Sequence, residues 1–275
     1  MRTSPNQPFG LLIEPAGEQE DIRDLDVTTL RELLWKERLL VLRGFRTFEH
    51  GDDFADYCER WGEVSLWPFG KVLELAERPD PEDHIFDNNH LPLHWDGMFR
   101  PQVPEFQIFH CVQAPRQGQG GRTIFSNTVR ALEHATEPTR TLWSKVTASY
   151  QRKMEFYDSK TISPIIDTHP FRGYPVIRYN EPPVEAGNFL NPSIMEFSGL
   201  RDTEQDDFFR SLREALYAPD TLYAHAWQTG DVLVSDNFSL LHGREAFETK
   251  APRHLQRVHV LSNPPLNNPR LVSHA

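Results

Sequence analysis

The 275-residue sequence predicts a mostly β fold with flanking helices, arranged as a double-sheet jelly roll. Short alternating segments recur from about residue 93 onward, helical spacing is concentrated nearer the N-terminus, and no strand is followed by a glycine-rich phosphate loop. That last feature disfavours a parallel, doubly wound sheet, whose nucleotide site depends on such a loop. A jelly roll leaves a barrel mouth able to hold a small ligand.

The first helix follows Asp26, a capping residue ahead of "VTTLRELLWKERL", with Leu30, Leu33 and Leu34 on one face. A buried strand is expected at "LLVLRGF", residues 39–45. A second helix in "DDFADYCERWG" turns Phe54, Tyr57, Cys58 and Trp61 inward before Gly62 ends it. Strand signals then come at "EFQIFHCVQ", "GRTIFS", "YPVIRYN", "DVLVSDN" and "RHLQRVHVLS". Helices interrupt at "NTVRALEHA" and "EQDDFFRSLREALY", where Phe208, Phe209, Leu212 and Leu216 form one apolar stripe. The 22 prolines cluster in "ERPDPED", "EPPVE" and "SNPPLNNP" and mark loops rather than a linker, so one domain over residues 1–275 is expected, its core at about 39–260 with the N-terminal helices packed against it.

A content of 38% hydrophobic, 25% charged and 11% aromatic residues is that of a folded globular chain. The formal net charge of -11, without a basic run, argues against a nucleic-acid partner. No apolar run approaches a membrane span and the start has no secretory pattern, which points to a cytoplasmic protein without a membrane partner. Cys58 and Cys111, both among apolar neighbours, are too few for a disulfide framework or a thiolate zinc site and are expected to be buried and inert. Any metal must use histidine and carboxylate.

"NNHLPLHWDGMFRP" places His94 and Asp96 two apart, so on extended backbone an imidazole and a carboxylate share one face. Farther on, His242 ends an apolar run, and with His94 and Asp96 it completes two histidines and one carboxylate, the facial triad of non-haem Fe(II) oxygenases. Such a set leaves three coordination positions open: a 2-oxo acid takes two and dioxygen the third. The far carboxylate of 2-oxoglutarate then needs a cation, and Arg253 lies 11 residues after His242. Arg257, four residues on, shares its strand face. His110, His169, His225, His254 and His259 show no spacing for a second ligand set and are expected to be satisfied by backbone or water.

The His94-x-Asp96 pair, the distal His242, Arg253 and "GGRTIF" before a helix resemble the taurine dioxygenase (TauD/TfdA) family of Fe(II)/2-oxoglutarate oxygenases. The resemblance implies a double-stranded β-helix core, Fe(II) on His94, Asp96 and His242, and a far carboxylate of 2-oxoglutarate held by Arg253 with Thr123. It departs from the taurine enzymes in the substrate region, where Trp67 and Phe69 follow "WGEVS" and His90 replaces an asparagine. "FGLLIEP", "WPFGKVLELAE", "EDHIFDNNHLPLHWDGM", "PEFQIFHCVQAP", "EPPVE", "NPS" and "LLHGREAFETKAPRHLQRVHV" are similar to PvcB-type enzymes, a likeness that spans nearly the whole chain.

That likeness implies desaturation, with or without loss of the carboxylate, of a tyrosine-derived isonitrile in natural-product biosynthesis, using Fe(II), 2-oxoglutarate and dioxygen. Arg257 is expected to anchor the substrate carboxylate, Trp67, Phe69 and Phe99 to flank its ring, and His90 to donate to it. Two alternatives stay open: hydroxylation of a small sulfonate or aryl acid on the same scaffold, and a zinc hydrolase or jelly-roll binding protein using the same three ligands. The long stretch "LELAERPDPEDHIFDNN" is a candidate lid, and a homo-oligomer is compatible with the sequence.

Overall fold

The computed structural model describes residues 1–17, 19–155, 157–183 and 189–274; Val184 and Glu185 of "EPPVE" lie outside them. In chain order its elements are β1 (Arg2–Pro5), β2 (Leu11–Glu14), α1 (Val27–Glu37), β3 (Leu39–Leu42), α2 (Gly51–Glu59), β4 (Leu73–Ala76), β5 (Leu91–His94), β6 (Gln102–Gln113) and β7 (Thr123–Asn127). There follow α3 (Thr128–His134), α4 (Glu137–Ser144), β8 (Thr147–Met154), β9 (Tyr157–Pro164), β10 (Ile166–Thr168), β11 (Pro175–Ile177) and β12 (Ile194–Ser198). The last are α5 (Asp202–Leu216), β13 (Leu222–His225), β14 (Val232–Asp236), β15 (Leu240–Arg244), β16 (His254–Asn267) and β17 (Leu271–His274).

Two sheets form the jelly roll. The larger runs β1-β2-β3-β14-β6-β16-β4 and the smaller β13-β7-β15-β5; β12-β8-β9-β17 make a further four-stranded sheet. Period-two alternation decides what each strand of the larger sheet shows to either side. From β3, Leu40 and Leu42 pack outward with Phe106, Ile108, Val232, Val234, Val258 and Val260. From the same strand Leu39 and Val41 turn inward, to Phe109, Phe125, Leu233, Leu240 and Leu255 between the two sheets. Strands covered on both faces read as unbroken apolar runs, which is why "LLVL" and "DVLV" lack polar alternation.

The outward face is covered by the N-terminal helices. Asp26 caps α1 by accepting from the Thr28 and Thr29 N–H groups, and Leu30 and Leu34 are fully buried while Leu33 is only partly so. Phe54, Tyr57, Cys58 and Trp61 of α2 and its C-terminal turn enter the same cluster. Each such burial contributes roughly 2 kcal/mol, so this layer holds the larger sheet in place.

Three expectations need correction. The strand predicted over 39–45 stops at Leu42, because Gly44 adopts φ 83° and turns the chain. "YPVIRYN" supplies only the three-residue β11, which pairs along its whole length with the equally short β10. Arg253 lies one residue before β16 rather than within it, beside a register shift at His254/Leu255, yet it still turns to the interior like Arg257. Part of the candidate lid is tied down: β4 pairs antiparallel with β16. No helix among the described residues is long and apolar enough to cross a membrane.

Candidate active site

Pairing of β15 with β5 brings the two histidines together. His242 is the direct cross-strand partner of His94, and their ring centroids lie 4.2 Å apart. Asp96 follows just past the end of β5. One ligand atom from each of His94, Asp96 and His242 can be chosen so that all lie within 4.8 Å of one another, the one such group of at least three His, Cys, Asp or Glu among the described residues. His94 Nδ1 contacts the Pro92 carbonyl at 2.9 Å, which makes that nitrogen the donor and leaves Nε2 as a ligand lone pair.

A second layer fixes Asp96. Its backbone N–H donates to Asn237 Oδ1 at 3.0 Å, while Asn237 Nδ2 donates to the Asp96 and Pro104 carbonyls at 2.9 and 2.8 Å. Asp96 Oδ2 accepts from Gln107 Nε2 at 2.6 Å, meets His259 Nε2 at 2.7 Å and pairs with Arg257 Nη1 at 2.8 Å. Oδ1 is left facing His94 Nε2 at 3.8 Å.

Burial alone would raise the Asp96 carboxyl, but the Arg257 guanidinium and the hydrogen bond from His259 hold it well below the usual carboxylate range. Burial pushes His94 down, and burial together with His94 pushes His242 well down, so both imidazoles are neutral. Two neutral imidazoles and one ionised carboxylate are the protonation states a divalent cation requires. The residues present fit Fe(II).

Beside this group Arg253 and Thr123 converge. Arg253 Nε donates to the Gly121 carbonyl at 2.9 Å and Nη2 reaches Thr123 Oγ1 at 3.4 Å. Gly121 sits at φ 76°, and a Cβ there would come 2.8 Å from Arg253 Cδ, so the second glycine of "GGRT" is what admits the arginine. Trp227 Nε1 donates to Thr123 Oγ1 at 2.9 Å, leaving the hydroxyl proton free to donate elsewhere. Burial lowers Arg253 to about 9, a cost that an anionic ligand would offset.

A cavity of about 1060 Å³ is lined by His94, Asp96, His242, Thr123, Arg253 and Arg257 together with Trp67, Phe69 and Phe99. Trp67 and Phe69 stack at 5.5 Å, Arg100 lies over Trp67 at 4.3 Å, and Phe99 stacks on Tyr157 at 6.0 Å. His90 is the exception among the expected residues: it is half-buried and absent from the cavity lining, among the charges of Glu181, Arg213, Arg244 and Glu245.

Sequence reasoning missed Gln107, Asn237 and Trp227, and it set His259 aside. Gln107 carried a readable signal: a glutamine in the apolar run of "EFQIFHCVQ", on the face opposite Phe106 and Ile108. Of the remaining histidines, His110 meets Gln256, His225 meets Asp231 and Tyr223, and His254 meets Glu74, while His169 accepts from the Phe171 backbone N–H at 3.3 Å and faces Asp236 at 3.6 Å.

A family model described as taurine catabolism dioxygenase TauD, TfdA family matches residues 7–259. Over 268 residues the chain is 47% identical to the tyrosine isonitrile desaturase of Pseudomonas aeruginosa, covering 97% of this chain and 92% of that one. It is 42% identical over 255 residues to the 3-((Z)-2-isocyanoethenyl)-1H-indole synthase of Fischerella ambigua, with 92% and 93% covered. The structure of PvcB, an Fe, alpha-ketoglutarate dependent oxygenase from an isonitrile synthetic pathway, superposes with a TM-score of 0.87 at 42% identity, covering 99% of this chain and 96% of that one. The chain belongs to the TauD/TfdA family and is an Fe(II)- and 2-oxoglutarate-dependent dioxygenase.

Proposed function

We propose that this dioxygenase desaturates a tyrosine-derived isonitrile in the cytoplasm, giving an α,β-unsaturated isonitrile with the carboxylate kept or a vinyl isonitrile with it lost. The observation that carries the reading is the single cavity in which the His94, Asp96 and His242 group, the Arg253 and Thr123 pair and the aromatic wall of Trp67, Phe69 and Phe99 meet. Its support from outside the chain is the 47% identity to a tyrosine isonitrile desaturase.

His94, His242 and Asp96 would hold Fe(II), and Arg253 with the Thr123 hydroxyl would hold the far carboxylate of 2-oxoglutarate. When bound, iron with 2-oxoglutarate and dioxygen supplies an oxidant able to take hydrogen from a benzylic C–H. Trp67, Phe69 and Phe99 flank the substrate ring and limit its rotation. Arg257, whose Nη1 already holds Asp96, offers its remaining N–H groups to the substrate carboxylate. The reaction balances: the substrate loses two hydrogens, 2-oxoglutarate becomes succinate and carbon dioxide, and dioxygen gives one oxygen to succinate and one to water.

The test is the product mass after incubating tyrosine isonitrile with the protein, Fe(II), 2-oxoglutarate, ascorbate and oxygen. Loss of two hydrogens is expected, with or without loss of carbon dioxide. A gain of one oxygen would make the protein a hydroxylase. Succinate formed without change in the isonitrile would remove the substrate. Activity restored by zinc and not by Fe(II) would overturn the oxidative reading.

A further inference from the structure

One group of polar side chains on the cavity wall has no part in holding iron or 2-oxoglutarate. Asp83, His84, Arg152 and Asn191 all line the cavity. Arg152 is only 9% exposed. Its Nη2 pairs with Asp83 Oδ2, while its Nε and Nη1 have no hydrogen-bond partner among the described residues. The Asp83 carboxylate is fully engaged: Oδ1 accepts from the Ile85 N–H at 3.0 Å, and Oδ2 from Asn191 Nδ2 at 3.1 Å besides Arg152.

His84 supplies the complementary atom. Its ring stacks on Phe189 at 4.3 Å, and Nδ1 lies 2.9 Å from the Leu190 carbonyl, so Nδ1 carries the proton and Nε2 is an acceptor. Burial and the neighbouring Arg152 push its pKa down to about 3, so the ring stays neutral at physiological pH. The wall therefore offers the unpartnered N–H groups of Arg152 as donors and one open acceptor, with the guanidinium charge already balanced by Asp83.

A carboxylate would have to compete with Asp83 and would meet the His84 lone pair. An indole N–H donates but accepts nothing, leaving Arg152 unsatisfied. A hydroxyl on an aromatic ring does both. We propose that Arg152 and His84 form the subsite that binds the phenolic hydroxyl of the substrate, the phenol accepting from Arg152 and donating to His84 Nε2, and so select a 4-hydroxyphenyl over a phenyl or indolyl side chain. The inference rests on the isonitrile reading above and adds to it the residues that choose the ring.

Selection of this kind is strong when the rejected analogue leaves buried polar groups of the protein unpaired. The experiment measures equilibrium binding of tyrosine isonitrile and of its analogue lacking the hydroxyl to protein loaded with Mn(II) and 2-oxoglutarate, where no turnover is needed. Wild type is expected to prefer the phenol by at least about 10-fold. His84→Leu and Arg152→Met should each reduce that preference to within about 3-fold by weakening the phenol alone, with the analogue's affinity kept. Because removing Arg152 leaves Asp83 buried and uncompensated, the double variant Asp83→Asn with Arg152→Met serves if the single one does not fold. Equal affinities in wild type, or a preference that survives in His84→Leu and in either arginine variant, overturns the subsite. Turnover is assayed separately: failure to desaturate either compound removes the isonitrile reaction, whereas equal binding with intact desaturation removes only the subsite.

Discussion

Gln107 Nε2 donates to Asp96 Oδ2 at 2.6 Å while Gln107 Oε1 accepts from Ser235 Oγ at 2.9 Å, so a β14 side chain sets the amide that sets the carboxylate. The same Nε2 lies 3.2 Å from His242 Nδ1, placing Gln107 against two of the three proposed ligands. It touches no substrate and acts by positioning. Loss of such a partner weakens metal binding by about 10- to 100-fold. Gln107→Leu is expected to bind Mn(II) that much more weakly in a calorimetric titration, with a thermal midpoint close to wild type. Undiminished Mn(II) affinity would reduce Gln107 to a packing residue.

Trp227 stands in the same relation to the 2-oxoglutarate site. Its indole N–H saturates one side of Thr123 Oγ1 at 2.9 Å, and its ring packs edge-on against His225 at 4.4 Å. Trp227→Phe keeps much of the packing and removes only the donor. The Thr123 hydroxyl is then free to turn toward other acceptors, and 2-oxoglutarate should bind the Mn(II)-loaded protein roughly 3- to 10-fold more weakly, the worth of one hydrogen bond. Arg253→Gln removes the counter-charge itself and should weaken it far more. Equal losses in the two variants would contradict a supporting role for Trp227.

The difference between these two residues and the ones legible in the sequence is one of distance along the chain. His94 and Asp96 stand two apart, and Arg253 follows His242 at a fixed spacing, so local geometry was enough to propose a shared site. Gln107 and Trp227 reach their targets only through register: Gln107 pairs with Ser235 in the β6–β14 ladder, and Trp227 meets Thr123 from beyond the end of β13. Periodicity likewise found the long amphipathic elements α1, α2 and α5. It missed β8, β9 and β12: in β9 the buried positions include Ser159, Thr161 and Ser163 while Ile162 is exposed, and β12 buries none of its residues, so neither shows apolar alternation. His90 shows the converse error. Nearness in sequence to His94 suggested a role in a cavity whose lining does not include His90.

The two cysteines give a direct check on how closed the core is. Burial, together with Glu59 beside Cys58 and Asp231 beside Cys111, raises Cys58 well above the ordinary thiol value and pushes Cys111 up to about 12. The thiolate is the reactive form, so at pH 8 neither has a usable population of it, and neither is accessible. A disulfide reagent such as Ellman's should find no thiol in the native protein at pH 8 and two after unfolding in guanidinium. One fast-reacting thiol in the native state would mean that the layer under α2 or the inner face of β6 opens readily.

Acid stability follows from Asp231, which stands at the start of β14 and ties three parts of the chain. Arg43 Nε and Nη2 donate to its two oxygens at 2.8 and 2.6 Å, His225 Nε2 lies 3.1 Å away and the Gln228 N–H donates at 2.9 Å. Burial raises its pKa, but Arg43 and His225 outweigh burial and the native value falls below the ordinary carboxylate value. The unfolded chain then binds more protons than the native one between those two values, so stability rises with pH across that window. The contribution is complete above about pH 4 and is lost as pH falls toward the native value. His225, held low by burial, adds acid sensitivity from about pH 6.5 downward with the same sign. Asp231→Asn should cost about 3 kcal/mol at pH 7, the typical penalty for breaking a buried pair, in urea unfolding followed by fluorescence. Repeated at pH 3.5, the gap between variant and wild type should narrow, because the wild-type carboxylate is by then losing its advantage. A gap unchanged between the two pH values would show that the ionisation of Asp231 is not what holds these segments together.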